Sequence, residues 1–133
     1  MLENHAWNEK LDVGHEAIDH DHHTQLALLA ALTDAIEQRR PALARRLGEE
    51  LAGYSRAHFR SEELLMEVKS YGEAPAHAAE HQKLLARIDE VSAAHAGGDD
   101  DLALSLALDF RTALAAHMND ADRRVAAFAS QGR

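Results

Sequence analysis

The sequence predicts an all-α protein, an antiparallel up-down-up-down four-helix bundle with an extended N-terminal arm. Three observations lead there. Ala and Leu are abundant, while the 133 residues include only seven Gly, two Pro, one Trp, two Tyr and three Phe, a balance that favours helices. Apolar residues recur in steps of three and four along four stretches. Short turn signals separate those stretches, which makes consecutive helices antiparallel neighbours. No strand-like alternation and no solenoid repeat is present.

The chain reads as a single domain over 1–133. Residues 1–18 form the arm, with Trp7 as an anchor over the bundle and Asp12-Val13-Gly14 as a turn. Asp19 can cap a first helix over about 19–39, broken by Arg40-Pro41. Its inward stripe is Ile18, His22, Leu26, Leu29, Thr33 and Ile36. A second helix, over about 41–69, starts at Pro41, a favoured first-turn residue. Its stripe is Leu47, Leu51, Tyr54, His58, Glu62 and Leu65. After the turn from Ser70 to Pro75, a third helix over about 75–96 carries His77, His81, Leu84, Ile88, Val91 and His95, and stops at Gly97-Gly98. Asp99, Asp100 and Asp101 suit the start of a fourth, over about 99–128, both as caps and against the helix dipole. Its stripe includes Leu106, Phe110, Leu114, His117, Ala121 and Phe128.

Composition narrows the chemistry. There is no Cys, which removes disulfides, iron–sulfur clusters and thiolate sites together. The net charge of −9, with no basic run longer than Arg39-Arg40 or Arg45-Arg46, argues against nucleic acid and anionic membranes as partners. No apolar run of transmembrane length and no secretion-type N-terminus are seen, so the expected location is cytoplasmic. Ten His are an excess that metal binding explains, imidazole being the commonest metal ligand.

Each of the four stripes contributes histidine: His22, His58, His77 with His81, and His117. Glu62 follows His58 by one helical turn, as His81 follows His77. Burying five imidazoles and two carboxylates without a partner would cost about 1–3 kcal/mol or more per group, a penalty that a metal removes. Five imidazoles exceed what a tetrahedral zinc accepts, and two carboxylates able to bridge make a dinuclear site economical. On the fourth helix two carboxylates compete. Asp120, three residues after His117, would face nearly the same way; Asp122, five after, is rotated by about 140° on an ideal helix. Spacing alone favours Asp120.

These residues, with Trp7, Val13-Gly14, Ile18-Asp19, Phe59, Glu63, Met66 and Tyr71, resemble the bacterial hemerythrins over essentially the whole length. The family order is H, then H-x-x-x-E, then H-x-x-x-H, then H-x-x-x-x-D. The resemblance selects Asp122 and implies a fourth helix distorted near its end. It also implies His77, His81 and His117 on one iron and His22 and His58 on the other. Glu62 and Asp122 would bridge, together with an oxo or hydroxo oxygen. The second of the two Fe2+/Fe3+ ions would keep an open position. The implied function is reversible O2 binding, for storage, delivery or sensing, with O2 bound end-on as hydroperoxide at the five-coordinate iron and azide as an anionic competitor. A protein recipient of the O2 is not named by the sequence. The alternatives are a di-iron enzyme reducing peroxide or nitric oxide, or an iron store. Neutral imidazoles in place of the carboxylate-rich E-x-x-H sets of di-iron enzymes favour the carrier over an enzyme with more than weak peroxidase-type activity.

Leu114, three residues before His117, is expected to roof the O2 pocket, with Phe59 and Tyr54 as walls beside His58. Ala113 stands where bacterial members usually carry tryptophan, which is expected to leave space or a solvent path beside the metals and to speed autoxidation. Gly72 replaces a usual proline after Tyr71. His5, His15, His20, His23 and His95 are expected at the solvated surface.

Overall fold

Three helices end in the same way, and that ending sets the turns of the bundle. The computed structural model describes residues 12–131; His5, Trp7 and most of the expected arm lie outside the described residues. The helices are α1 (Glu16–Glu37), α2 (Pro41–Val68), α3 (Ala74–Ala96), α4 (Asp100–His117) and α5 (Arg123–Gln131). At the end of α1, Arg40 N–H donates to Ala35 O and Arg39 N–H to Ile36 O; Tyr71 to Met66 with Ser70 to Glu67, and Asp99 to Ala94 with Gly98 to His95, repeat the pattern. Such paired bonds satisfy the last carbonyls of a helix and need a left-handed residue between them. Arg39 (φ 57°), Ser70 (φ 56°) and Gly98 (φ 83°) occupy that position. The chain therefore reverses within a few residues each time.

Helix α1 starts three residues before the expected Asp19, and Asp19 is not its cap. The cap is His15, whose Nδ1 accepts the Ile18 N–H. Asp19 instead reaches back to accept the N–H groups of Val13 (2.8 Å) and Gly14 (3.2 Å). The imidazole thus satisfies one of the helix's own first N–H groups, and the carboxylate holds the turn that precedes the helix. Asp99 caps α4 as expected, accepting from Leu102 N–H.

Helices α1 and α2, α2 and α3, α3 and α4, and α4 and α1 pack side by side, the cyclic neighbour relation of an antiparallel four-helix bundle. No strand occurs among the described residues. The core runs through Leu26, Leu29, Ile36, Leu51, Phe59, Leu84, Ile88, Val91, Phe110 and Leu114. On α2 the buried row is Ala44, Gly48, Leu51, Ser55, His58, Glu62 and Met66. Ser55 and Met66 thus replace the expected Tyr54 and Leu65, the buried face of α2 lying one residue further along than expected. Gly48 permits close packing of α2 on α3: a Cβ there would stand 3.0 Å from Ser92 Oγ. On α4 the small Ala103 and Ala107 are buried instead of Leu106. No helix among the described residues is long and apolar enough to cross a membrane.

Candidate metal centre

Between α4 and α5 the helix widens. Met118–Asp122 forms a π-helical segment, in which hydrogen bonds close over five residues instead of four. A carboxylate five residues after His117 then returns to the face of His117, where an α-helix would turn it away. Asp122 is buried (1% exposed), and its Oδ1 lies 3.0 Å from His117 Nε2. Asp120, favoured by α-helical spacing, is exposed and pairs with Arg124 at 3.4 Å. That expectation fails because it assumes unbroken α-helical pitch.

The seven candidate donors converge from all four helices at one end of the core. Nitrogen and oxygen atoms of Glu62, His77, His81, His117 and Asp122 lie within 4.8 Å of one another, and so do those of His22, His58, Glu62 and Asp122. The two carboxylates belong to both groups, and their oxygens divide between them. Glu62 Oε1 faces His77 (2.6 Å) and His81 (3.0 Å) while Oε2 faces His58 (3.5 Å). Asp122 Oδ1 faces His77 (3.0 Å) and His117 (3.0 Å) while Oδ2 faces His22 (2.8 Å). Each carboxylate thus turns one oxygen to a set of three imidazoles and the other to a set of two.

Several of these atoms are close without being hydrogen-bonded. His22 Nε2, His58 Nε2, His117 Nε2, Glu62 Oε2 and both Asp122 oxygens are buried and lack an aligned partner. Buried polar atoms are ordinarily satisfied. Neighbouring ligands of one octahedral ion, by contrast, stand about 3 Å apart for bonds of about 2.1 Å and point at the ion rather than at each other. The donor set and its unpaired atoms fit metal binding.

A second ring of carboxylates holds the imidazoles from outside. Nδ1 of His58 meets Asp21 Oδ2 at 2.8 Å, Nδ1 of His81 meets Glu63 Oε2 at 2.8 Å, and Nδ1 of His117 meets Glu80 Oε1. A proton on Nδ1 given to these carboxylates leaves the Nε2 lone pair turned inward, the arrangement that orients and strengthens imidazole ligands. Tyr54 belongs to this ring. Its hydroxyl donates to Asp21 Oδ1 at 2.7 Å, so it anchors Asp21 instead of walling the centre beside His58. Sequence reasoning missed Asp21 and Glu80 altogether; the available signal was a carboxylate adjacent in sequence to a candidate donor, as in Asp21-His22 and Glu80-His81.

The charges are strongly coupled. Burial pushes the Glu62 carboxyl up, but the imidazoles of His58, His77 and His81 around it outweigh this and bring it down to about 2. Burial likewise opposes ionisation of Asp122, and the imidazoles of His117, His22 and His77 hold it well below the usual carboxylate range. His77, despite burial, is pushed up to about 9 by Asp122 and Glu62. Glu62 and Asp122 are therefore anionic at neutral pH, and in the absence of a cation protons take its place.

Phe59 stacks on His81 with centroids 4.1 Å apart and planes 9° from parallel, so it lies against His81 as well as beside His58. Leu114 is buried in the core one turn from His117. Ala113 is half-buried and lines a groove of about 350 Å³ between α3 and α4, shared with Glu80, Lys83, Leu84, Arg87, Ala116, His117 and Asp120. The space left by the small residue therefore opens beside His117 and Glu80. Of the remaining histidines, His23 stands 3.7 Å from Asp12 at the surface, and His95 borders a groove at the opposite end of the bundle.

The family described as "Hemerythrin HHE cation binding domain" matches residues 13–129. The chain is 31% identical to the bacteriohemerythrins of Pseudomonas paraeruginosa (strain DSM 24068 / PA7) and Pseudomonas aeruginosa (strain LESB58), over 71% of its length and 62% of theirs. It is 29% identical to that of Stenotrophomonas maltophilia (strain R551-3) over the same shares. The match thus spans about 62% of the length of these curated relatives.

Proposed function

The chain belongs to the hemerythrin family, and from that premise we propose that it binds O2 reversibly at two iron ions held by His22, His58, Glu62, His77, His81, His117 and Asp122. The observation that carries the reading is the division of the carboxylate oxygens. Glu62 and Asp122 each offer one oxygen to the three-imidazole set and one to the two-imidazole set. Two donor groups that share two carboxylates, one with one imidazole fewer, offer unequal numbers of protein donors, so a metal held by His22 and His58 would be the one with room for an exogenous ligand. When bound there, ferrous iron supplies the electrons and the open position that O2 requires.

The chain's own residues do the remainder. Glu62 and Asp122, ionised by their surroundings, offset cationic charge inside the bundle. Asp21, Glu63 and Glu80 hold His58, His81 and His117 by Nδ1, so those donors cannot swing away. Leu26, Leu114 and Phe59 are buried around the donor layer and keep bulk water from it, which favours release of an intact neutral ligand over hydrolysis or leakage.

Metal analysis of the purified chain, followed by cycles of air and vacuum, tests the proposal. Two irons per chain and a visible absorption that rises in air and vanishes under vacuum are expected. A single zinc, or a colourless iron protein, would overturn it in favour of a structural or storage role. Sustained consumption of peroxide or nitric oxide would point to the enzyme.

A further inference from the structure

The donor layer is covered from the bundle interior by a layer that is not wholly apolar. Going one helical turn inward replaces His22 by Gln25, His58 by Ser55, His81 by Leu84 and His117 by Leu114, each three residues away on its own helix and about 4.5 Å along the axis. All four are buried, Gln25 and Ser55 completely. Gln25 Nε2 donates to Ser55 Oγ at 3.0 Å across the α1–α2 interface, the interface that brings the His22 and His58 rings to 5.3 Å. The other end of the amide, Oε1, has no partner. An unpaired buried amide end is costly, and Gln25 stands one turn from His22 on the helix pair that carries the two-imidazole set.

Resting on the two-iron reading above, we propose that Gln25 discriminates among small ligands on the His22–His58 side, its free amide end hydrogen-bonding those that carry lone pairs or protons. Ser55 makes the residue adaptable. A hydroxyl both donates and accepts, so the amide can bond Ser55 through either end. With Nε2 towards Ser55, the oxygen is free to accept from a protonated ligand. With Oε1 towards Ser55, an N–H is free to donate to an anion. A ligand without polar ends gains nothing from either arrangement.

The test uses the iron-loaded chain with azide as the probe, in wild type and Gln25→Met, a swap of similar volume. Metal content is expected to stay at the wild-type value, azide to bind about tenfold more weakly, and the infrared azide stretch to lose its shift between H2O and D2O. Unchanged affinity overturns the proposal, and so does weaker binding with an unaltered stretch, which packing alone would produce. The metal-free chain adds a readout that does not depend on loading. There, Gln25→Met/Ser55→Ala is expected to melt no lower than wild type, because an unpaired buried acceptor is removed. A fall of more than about 5 °C assigns the pair to structure and overturns the proposal. Wild-type chain that takes up no iron would defeat the two-iron reading, whereas an iron-loaded chain whose azide binding ignores Gln25→Met would defeat this proposal alone.

Discussion

Asp122 stands five residues after His117, yet its Oδ1 lies 3.0 Å from His117 Nε2. The π-helical turn of Met118–Asp122 makes this possible, at the cost of the tighter α-helical bonds it replaces. The distortion brings a second carboxylate to the cluster of imidazoles.

Asp122→Ala is accordingly expected to lose half or more of the metal that the wild type binds. Asp120→Ala, three residues from His117 but exposed beside Arg124, should retain full metal content and change stability by no more than about 0.5 kcal/mol. Elemental analysis and thermal melts of the two variants make the comparison. Equal metal loss in both would mean that the π turn does not select the donor.

The outer carboxylates should matter to metal affinity although they are not among the inward-facing donors. Glu63→Gln and Asp21→Asn keep size but weaken the grip on Nδ1 of His81 and His58. Metal affinity is expected to fall by about 10- to 100-fold in each, read by competition with a chelator. Tyr54→Phe, which removes only the bond to Asp21, should produce a smaller loss in the same direction.

The metal-free chain should have a characteristic pH profile. His77 rises from 6.5 unfolded to about 9 folded, so its stabilising contribution is complete below pH 6.5 and disappears as pH rises through 9. Glu62 falls from 4.5 to about 2, so its contribution is complete above pH 4.5 and disappears as pH falls through 2. Denaturant melts of metal-free protein should therefore be most stable between about pH 4.5 and 6.5. Metal must displace the protons held there, so loading should release protons and weaken as pH drops below 9. A pH-independent metal affinity between 6 and 9 would contradict this account.

Ala113 opens a groove that reaches Glu80 and His117. Ala113→Trp is expected to fill it, exclude water from the Glu80–His117 pair and, on the proposed O2-binding reading, slow autoxidation of the iron-loaded protein in air. Decay of the air-dependent absorption measures the rate. An unchanged rate would show that the groove is not the route by which solvent reaches the centre.

The amino-acid sequence by itself determined which residues could converge. His22, His58, Glu62, His77, His81 and His117 each share a face with the apolar stripe of their helix, because the α-helical repeat is a local property of the backbone. The turns were legible for the same reason, Pro41, Ser70 and Gly97-Gly98 acting within a few residues. Tertiary structure decided what local periodicity leaves free. A stripe is about 100° wide, and only the neighbouring helix chose Ser55 and Met66 over Tyr54 and Leu65 for the interior of α2. The widened turn that brings in Asp122, the partition of its two oxygens between His117 and His22, and the outer hold of Asp21, Glu63 and Glu80 all depend on groups distant in sequence meeting in space. Such groups exert no influence on one another until the bundle has closed around them.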